Sequence, residues 1–124
     1  MKLAIFTLIF MALPLGIAAE DFPAADKELN QVYQEVLRLY ADDQAFVKKF
    51  RTAQQAWLKF RDAHLEALFP ASDKGSEYGS VYPMCSGNVL AELTKARTAQ
   101  LRAWVAGVEE GEVCAGSIKK KTKE

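Results

Sequence analysis

Ala53-Gln54-Gln55-Ala56-Trp57-Leu58-Lys59-Phe60-Arg61-Asp62-Ala63 reads as the middle of a long helix. Trp57 and Phe60 stand three residues apart. Helical periodicity places them on one stripe, with Ala53 and Phe50 one and two turns earlier. Arg61 follows Trp57 by four residues, a spacing that lets its guanidinium stack on the indole. Gln54 lies one turn before Trp57, and Asp62 one turn after Leu58. A polar set therefore sits against a large aromatic ring. Such sets most often tie a helix to its neighbours.

Outward from this stretch, the helix is expected over Gln44 to Leu68. Phe46, Val47, Leu58, Leu65, Ala67 and Leu68 extend its apolar side. Phe69-Pro70 ends it, because the residue before a proline is pushed out of helical geometry. Upstream, Leu29, Val32, Tyr33, Val36, Leu37 and Tyr40 follow an i, i+3, i+4, i+7 pattern, with polar residues between them. That predicts a one-faced first helix of roughly 15 to 18 residues, with Asp26 as its cap or first-turn acid. Downstream, a third helix is expected to start near Ser80 to Pro83, since proline suits a first helical turn. Leu90, Leu93, Leu101, Trp104, Val105 and Val108 form its face, and Gly107 and Gly111 end it. Arg97 interrupts that face; it is expected either to snorkel out or to meet a carboxylate or aromatic face, with Asp62 a candidate partner if helices two and three are antiparallel. The fold class is all-α: a small bundle of three main helices, antiparallel, with long second and third helices. A long loop joins those two, and the C-terminal segment is irregular.

The chain has 124 residues, enough for one domain. Lys2, an apolar run from Leu3 to Leu15 and the small residues Gly16 to Ala19 read as a secretory signal peptide. The run is too short to span a bilayer. Residues 1–19 are thus assigned as leader, 20–118 as a single helical domain and 119–124 as a solvated lysine-rich tail. No lipid-anchor cysteine stands at the cleavage point, so a periplasmic or secreted protein is expected. Between Glu20 and Ile118, eleven Lys and Arg face fifteen Asp and Glu. That balance disfavours nucleic acid as a partner and mildly favours a cationic protein.

Ala71 to Val81 is rich in glycine and serine, and long enough for a binding role. Tyr78, Ser80 and Tyr82 are its partner-binding candidates, and the alternative is a plain connector whose tyrosines fold onto the bundle. Gly75 and Gly79 do not make a phosphate loop, because no Lys-Ser or Lys-Thr follows. The single histidine, His64, has no ligand-spaced partner, so neither a metal site nor a cofactor is expected. No catalytic constellation is present, and an enzyme is the least favoured class. Cys85 and Cys114 are the only cysteines. A continuous helix from Cys85 to Ala106 spans roughly 31 Å. The eight steps back to Cys114 reach at most about 29 Å. The helix is therefore broken near Ser86-Gly87, or the bond is intermolecular, or both thiols are free.

Asp26-x-Glu28-Leu29-Asn30-x-x-Tyr33, the Gln54-to-Ala63 block, Gly79-Ser80 and Leu90-x-x-Leu93-Thr94-x-x-Arg97-x-x-x-Leu101 together resemble the LprI-type lysozyme-inhibitor family. The resemblance covers nearly the whole chain after the leader. It implies an all-helical exported domain, a core built on Trp57, Arg61 and Asp62, and lysozyme inhibition for the family's namesake. Leu65 and Val89 stand where members often carry cysteines, so an inter-helix disulfide is replaced by apolar residues. The namesake is lipid-anchored, and this leader lacks the cysteine for that. Gln54, Trp57, Arg61, Asp62 and Arg97 are expected to hold helices two and three together. Two functions compete: a non-catalytic inhibitor of a cationic lysozyme-type enzyme, and an envelope interaction module, with a homodimer allowed.

Overall fold

The computed structural model describes residues 21–122; the expected leader lies outside them. Four helices follow one another: α1 (Phe22–Leu39), α2 (Gln44–Leu68), α3 (Lys74–Tyr78) and α4 (Tyr82–Ala106). Among the described residues there is no named strand, only an isolated bridge between Val108 and Lys120. No described helix is long and apolar enough to cross a membrane.

Local chemistry sets the helix ends. Asp21 caps α1 by accepting from the Ala24 N–H at 3.1 Å, and Asp43 caps α2 by accepting from the Phe46 N–H at 3.0 Å. The cap of α1 is therefore Asp21, not Asp26, and Asp26 is free for a tertiary contact. Pro23 and Pro83 sit in the first turns of α1 and α4, where a missing N–H costs nothing. Gly107 ends α4 with φ +72°, a conformation that side chains with a Cβ rarely adopt.

The expected stripe of α1 is the core. Leu29, Val32, Val36 and Tyr40 are buried with Val47, Phe50 and Leu101. Contacts with α2 step forward along α1 and backward along α2: Asp26 meets Arg61, Tyr33 stacks on Phe50 at 5.4 Å, and Tyr40 meets Phe46 at 4.8 Å. α4 presents Ala91, Thr94, Thr98 and Leu101 as its buried face. The two threonines fit because they are small; Thr98 also satisfies its hydroxyl by donating to the Thr94 carbonyl at 3.0 Å.

Two expectations are corrected here. The stripe of α2 that turns inward is Val47, Phe50, Gln54, Trp57 and Arg61. Ala53 and Phe60, placed on it by spacing, are exposed, with Phe60 52% accessible. The linker between the second and third expected helices is not one long loop. It carries the five-residue α3, capped by Asp73, which accepts from the Ser76 N–H and hydroxyl. Those bonds hold the Asp73 carboxyl below its usual range.

The C-terminal segment returns to the bundle rather than trailing into solvent. Tyr40, buried, donates its hydroxyl to the Trp104 carbonyl at 2.9 Å and accepts from the Lys119 N–H at 2.9 Å. The Lys119 ammonium lies 4.8 Å over the Tyr40 ring, bonds the Leu39 carbonyl at the end of α1 and pairs with Asp42 at 3.0 Å. Trp104 donates its indole N–H to Ser117. Lys120 and Lys121 pair with Glu110 and Glu109. Lys119, Lys120 and Lys121, expected in a solvated tail, are thus engaged, and they offset part of the acidic excess of the body. We call residues 107–121 the strap.

Two predictions follow from the strap. Tyr40→Phe leaves the Lys119 N–H without its acceptor and the Trp104 carbonyl without its donor. It should destabilise the fold by about 1–3 kcal/mol, read as a lower midpoint in thermal circular dichroism. The Lys119 ammonium, by hydrogen bond first and charge second, holds the Asp42 carboxyl below its usual range. A depressed folded-state value means this contribution is present above the unfolded value and lost as pH falls through the folded one. The strap should therefore loosen below about pH 4, read as a Trp104 fluorescence change before global unfolding.

Candidate functional site

Two places in the fold concentrate the residues that the sequence singles out. The first is a node around Arg61. Its stem and guanidinium are drawn inward from α2, leaving the side chain only 12% accessible. One terminal nitrogen donates to Asp26 on α1 at 3.2 Å and to the Thr94 hydroxyl on α4 at 3.3 Å. The guanidinium carbon lies 5.2 Å from the Phe22 ring and 5.2 Å from the Trp57 ring. One cation thus touches three helices, between two aromatic rings, at about 0.5–2 kcal/mol per stacked face. Its Nε is buried without a hydrogen-bond partner. The Asp62 carboxylate stands 3.7 Å away, exposed, too far to bond it well.

Arg97 does not meet Asp62. It donates to the buried Gln54 side chain at 3.0 Å and to Gln100 on its own helix at 3.0 Å. Burial pushes its guanidinium below the ordinary value, and it stays charged at neutral pH. The Gln54–Arg97 bond joins α2 to α4, beside the Arg61 node. Gln54, Trp57, Arg61 and Arg97 therefore lie together between the helices, and Asp62 lies at their solvent edge. Asp26, Thr94 and Phe22 belong to the node and were not picked out from spacing. Asp26 and Thr94 nonetheless stand in two of the other motif blocks that carry the family resemblance together with the Arg61 block, which is the signal that could have found them.

The node ties three helices together. One terminal nitrogen is spent on Asp26 and Thr94, and the Asp26 carboxylate is in turn held by the cation. Among the described residues no group of three or more His, Cys, Asp or Glu is arranged to hold a metal. His64 packs its ring 5.5 Å from Phe60.

The second place is the end of the molecule where α2, α3 and α4 meet. Phe69, Tyr78 and Tyr82 form a triangle of rings: Phe69 is edge-on to both tyrosines at 5.2 and 5.3 Å, and the tyrosines lie 5.9 Å apart. Tyr78 accepts from the Ala71 N–H at 3.0 Å, which leaves its own hydroxyl proton to donate elsewhere. The Lys74 ammonium closes the turn, bonding the Phe69 and Ala71 carbonyls and Glu66. Gly79, at φ +76°, turns the chain so that Ser80 and Val81 project. Both tyrosines are half-buried, while Ser80 is exposed. Beside this triangle Leu68, Val81 and Met84 are about half accessible. The three candidates of the linker thus share one rigid knuckle with an apolar rim.

α4 runs unbroken through Ser86-Gly87, with Cys85 near its start and Cys114 in the strap; both thiols are free. Leu65 and Val89 are half-buried.

The family model described as "Lysozyme inhibitor LprI" matches residues 14–101 of this chain. An uncharacterized protein of Rhizobium meliloti (strain 1021) is 35% identical over 104 residues, covering 74% of this chain and 71% of that protein. No solved structure matches.

A prediction tests the node. Arg61→Lys keeps the charge and loses the fork and the flat stacking surface. It should lower stability by about 1–3 kcal/mol in urea unfolding, given the charged hydrogen bonds at stake. Asp62→Ala, at the solvent edge, should stay within about 0.5 kcal/mol of the parent.

Proposed function

Because this chain belongs to the lysozyme inhibitor LprI family, we propose that it is an exported, non-catalytic binding protein that blocks a lysozyme-type glycan hydrolase. The reading takes α1, α2 and α4 as an up–down–up bundle, which the order of contacts along the helices supports. The bundle is the scaffold, and the knuckle at the α2–α3–α4 end enters the partner.

The observation that carries this reading is the knuckle itself. Phe69, Tyr78 and Tyr82 hold one another, Lys74 pins the turn, and Ser80, Val81 and Met84 project from a fixed base. An inhibitor that is already ordered does not lose loop entropy on binding. Glycan-cleaving enzymes of this type place two carboxyl groups across a cleft. The spare Tyr78 proton, the Ser80 hydroxyl and exposed backbone N–H groups are donors suited to such acids, and Val81 and Met84 supply apolar contact beside them. Charge steering has a smaller part than the acidic body alone implies, since the strap lysines neutralise Asp42, Glu109 and Glu110.

An envelope interaction module without lysozyme inhibition is the second reading. It is favoured by the apolar outer side of α2, which the knuckle does not use.

Titrating lysozyme activity on bacterial cell walls with the purified protein tests the first reading. Stoichiometric inhibition that persists at physiological salt is expected. Val81→Asp, on an exposed side chain outside the aromatic triangle, should weaken it at least tenfold with an unchanged thermal midpoint. Absence of inhibition at large excess, with a helical circular-dichroism spectrum, sinks the inhibitor reading in favour of the module. Inhibition untouched by Val81→Asp and by Ser80→Arg removes the knuckle from the interface.

A further inference from the structure

α2 carries two apolar stripes offset by one residue. The inner one is Val47, Phe50, Gln54, Trp57 and Arg61. The outer one is Ala53, Ala56, Phe60, Ala63 and Ala67, and every member is exposed. Its spacing alternates three and four, the pattern of a helix seam that meets another helix. Among the described residues the one ring contact to it is from His64 on the same helix, 5.5 Å from Phe60, and no other helix is seen to pack on it. Phe60 is its one large side chain, 52% accessible.

We propose that the outer stripe of α2 pairs with the same stripe of a second copy, the two helices running in opposite directions. The occupant is read from the stripe's own symmetry. A two-fold axis between Ala56 and Phe60 sets each Phe60 against the partner's Ala56, and each Ala53 against the partner's Ala63. Large then meets small on both sides, as a self-complementary interface requires. Alanine elsewhere lets the helix axes approach to about 8 Å. Charge agrees with that direction. The same register sets each Lys49 against the partner's Ala67, so its flexible stem can reach the adjacent Glu66 of the partner at both ends. Lys49 makes no ion pair among the described residues, while Glu66 already meets Lys74 at 3.1 Å and adds a second cation. A parallel arrangement would instead oppose Lys49 to Lys49. Lys59 falls near the axis in both copies, and its long stem carries the ammonium out to water.

The pairing is independent of the inhibitor reading, since it uses the outer side of α2 and leaves the knuckle open. Sedimentation velocity of the leader-free protein, under reductant to silence Cys85 and Cys114, tests it from about 1 to about 300 µM, the range of weak specific pairing. A concentration-dependent dimer is expected. Phe60→Glu should weaken it at least tenfold while leaving the thermal midpoint of the diluted monomer unchanged, because the ring is half exposed there. Lys49→Glu should weaken it, and Lys49→Glu with Glu66→Lys should restore it. A wild-type chain that is monomeric throughout overturns the proposal, as does a dimer indifferent to Phe60→Glu. Failure of the charge swap to restore association overturns the antiparallel register on which the proposal stands. A monomeric chain whose lysozyme inhibition is lost in Phe60→Glu gives the stripe to the foreign partner, and overturns self-pairing too.

Discussion

The Arg61 guanidinium is the point where α1, α2 and α4 meet. A cation withdrawn from water is costly unless it is paired and hydrogen-bonded. Here one nitrogen reaches Asp26 and Thr94, and two aromatic rings lie 5.2 Å from the guanidinium carbon. The pairing fixes how far α1 slides along α2, because Asp26 has one place to be. It also fixes the rotation of α4, since Thr94 must face inward. Aliphatic packing in the core cluster, which includes Leu29 and Leu101, is compatible with several registers. The ion pair admits one. Gln54 and Arg97 repeat the logic one turn away, with a neutral acceptor in place of a carboxylate.

The first helix was legible because its apolar residues follow one period without a miss, and the buried set Leu29, Val32, Val36 and Tyr40 falls on that stripe. The bounds of α2 were also legible, since Asp43 and Phe69-Pro70 are strong local signals. Which side of α2 turns inward was not. Two stripes one residue apart have nearly equal apolar content, and the inward one contains Gln54 and Arg61. Periodicity weighs hydrophobicity and cannot see that a glutamine and an arginine will find partners on other helices. α4 posed the same difficulty in milder form, with threonines rather than leucines on its buried face.

The knuckle was half legible. Tyr78, Ser80 and Tyr82 stood out by composition, and the structure brings them to one end of the bundle. Their ring geometry depends on Phe69, which reads in sequence only as the residue before a proline. The strap was not legible. Residues such as Glu109, Glu110 and Lys119 to Lys121 look like solvated charge, and their order comes from a hydroxyl at Tyr40 that sequence assigns to the core. The family match ends at residue 101 and leaves the whole of this segment outside it. The resemblance therefore speaks for the bundle and the Arg61 node more than for the strap.

Tyr40 also sets an order of events. Its hydroxyl accepts from a backbone group 79 positions further along the chain. A polypeptide that emerges from its amino end can bring α1 against α2 early, since their contacts are joined by a short turn. The end of the bundle that holds Tyr40, Phe46 and Trp104 must wait, because its closing bond is supplied by Lys119. Long-range closure of this kind is slow compared with helix pairing. The Arg61 end needs nothing beyond α4, whereas the Tyr40 end also needs Lys119. The two ends of the bundle thus differ in how far along the chain their closing contacts are drawn.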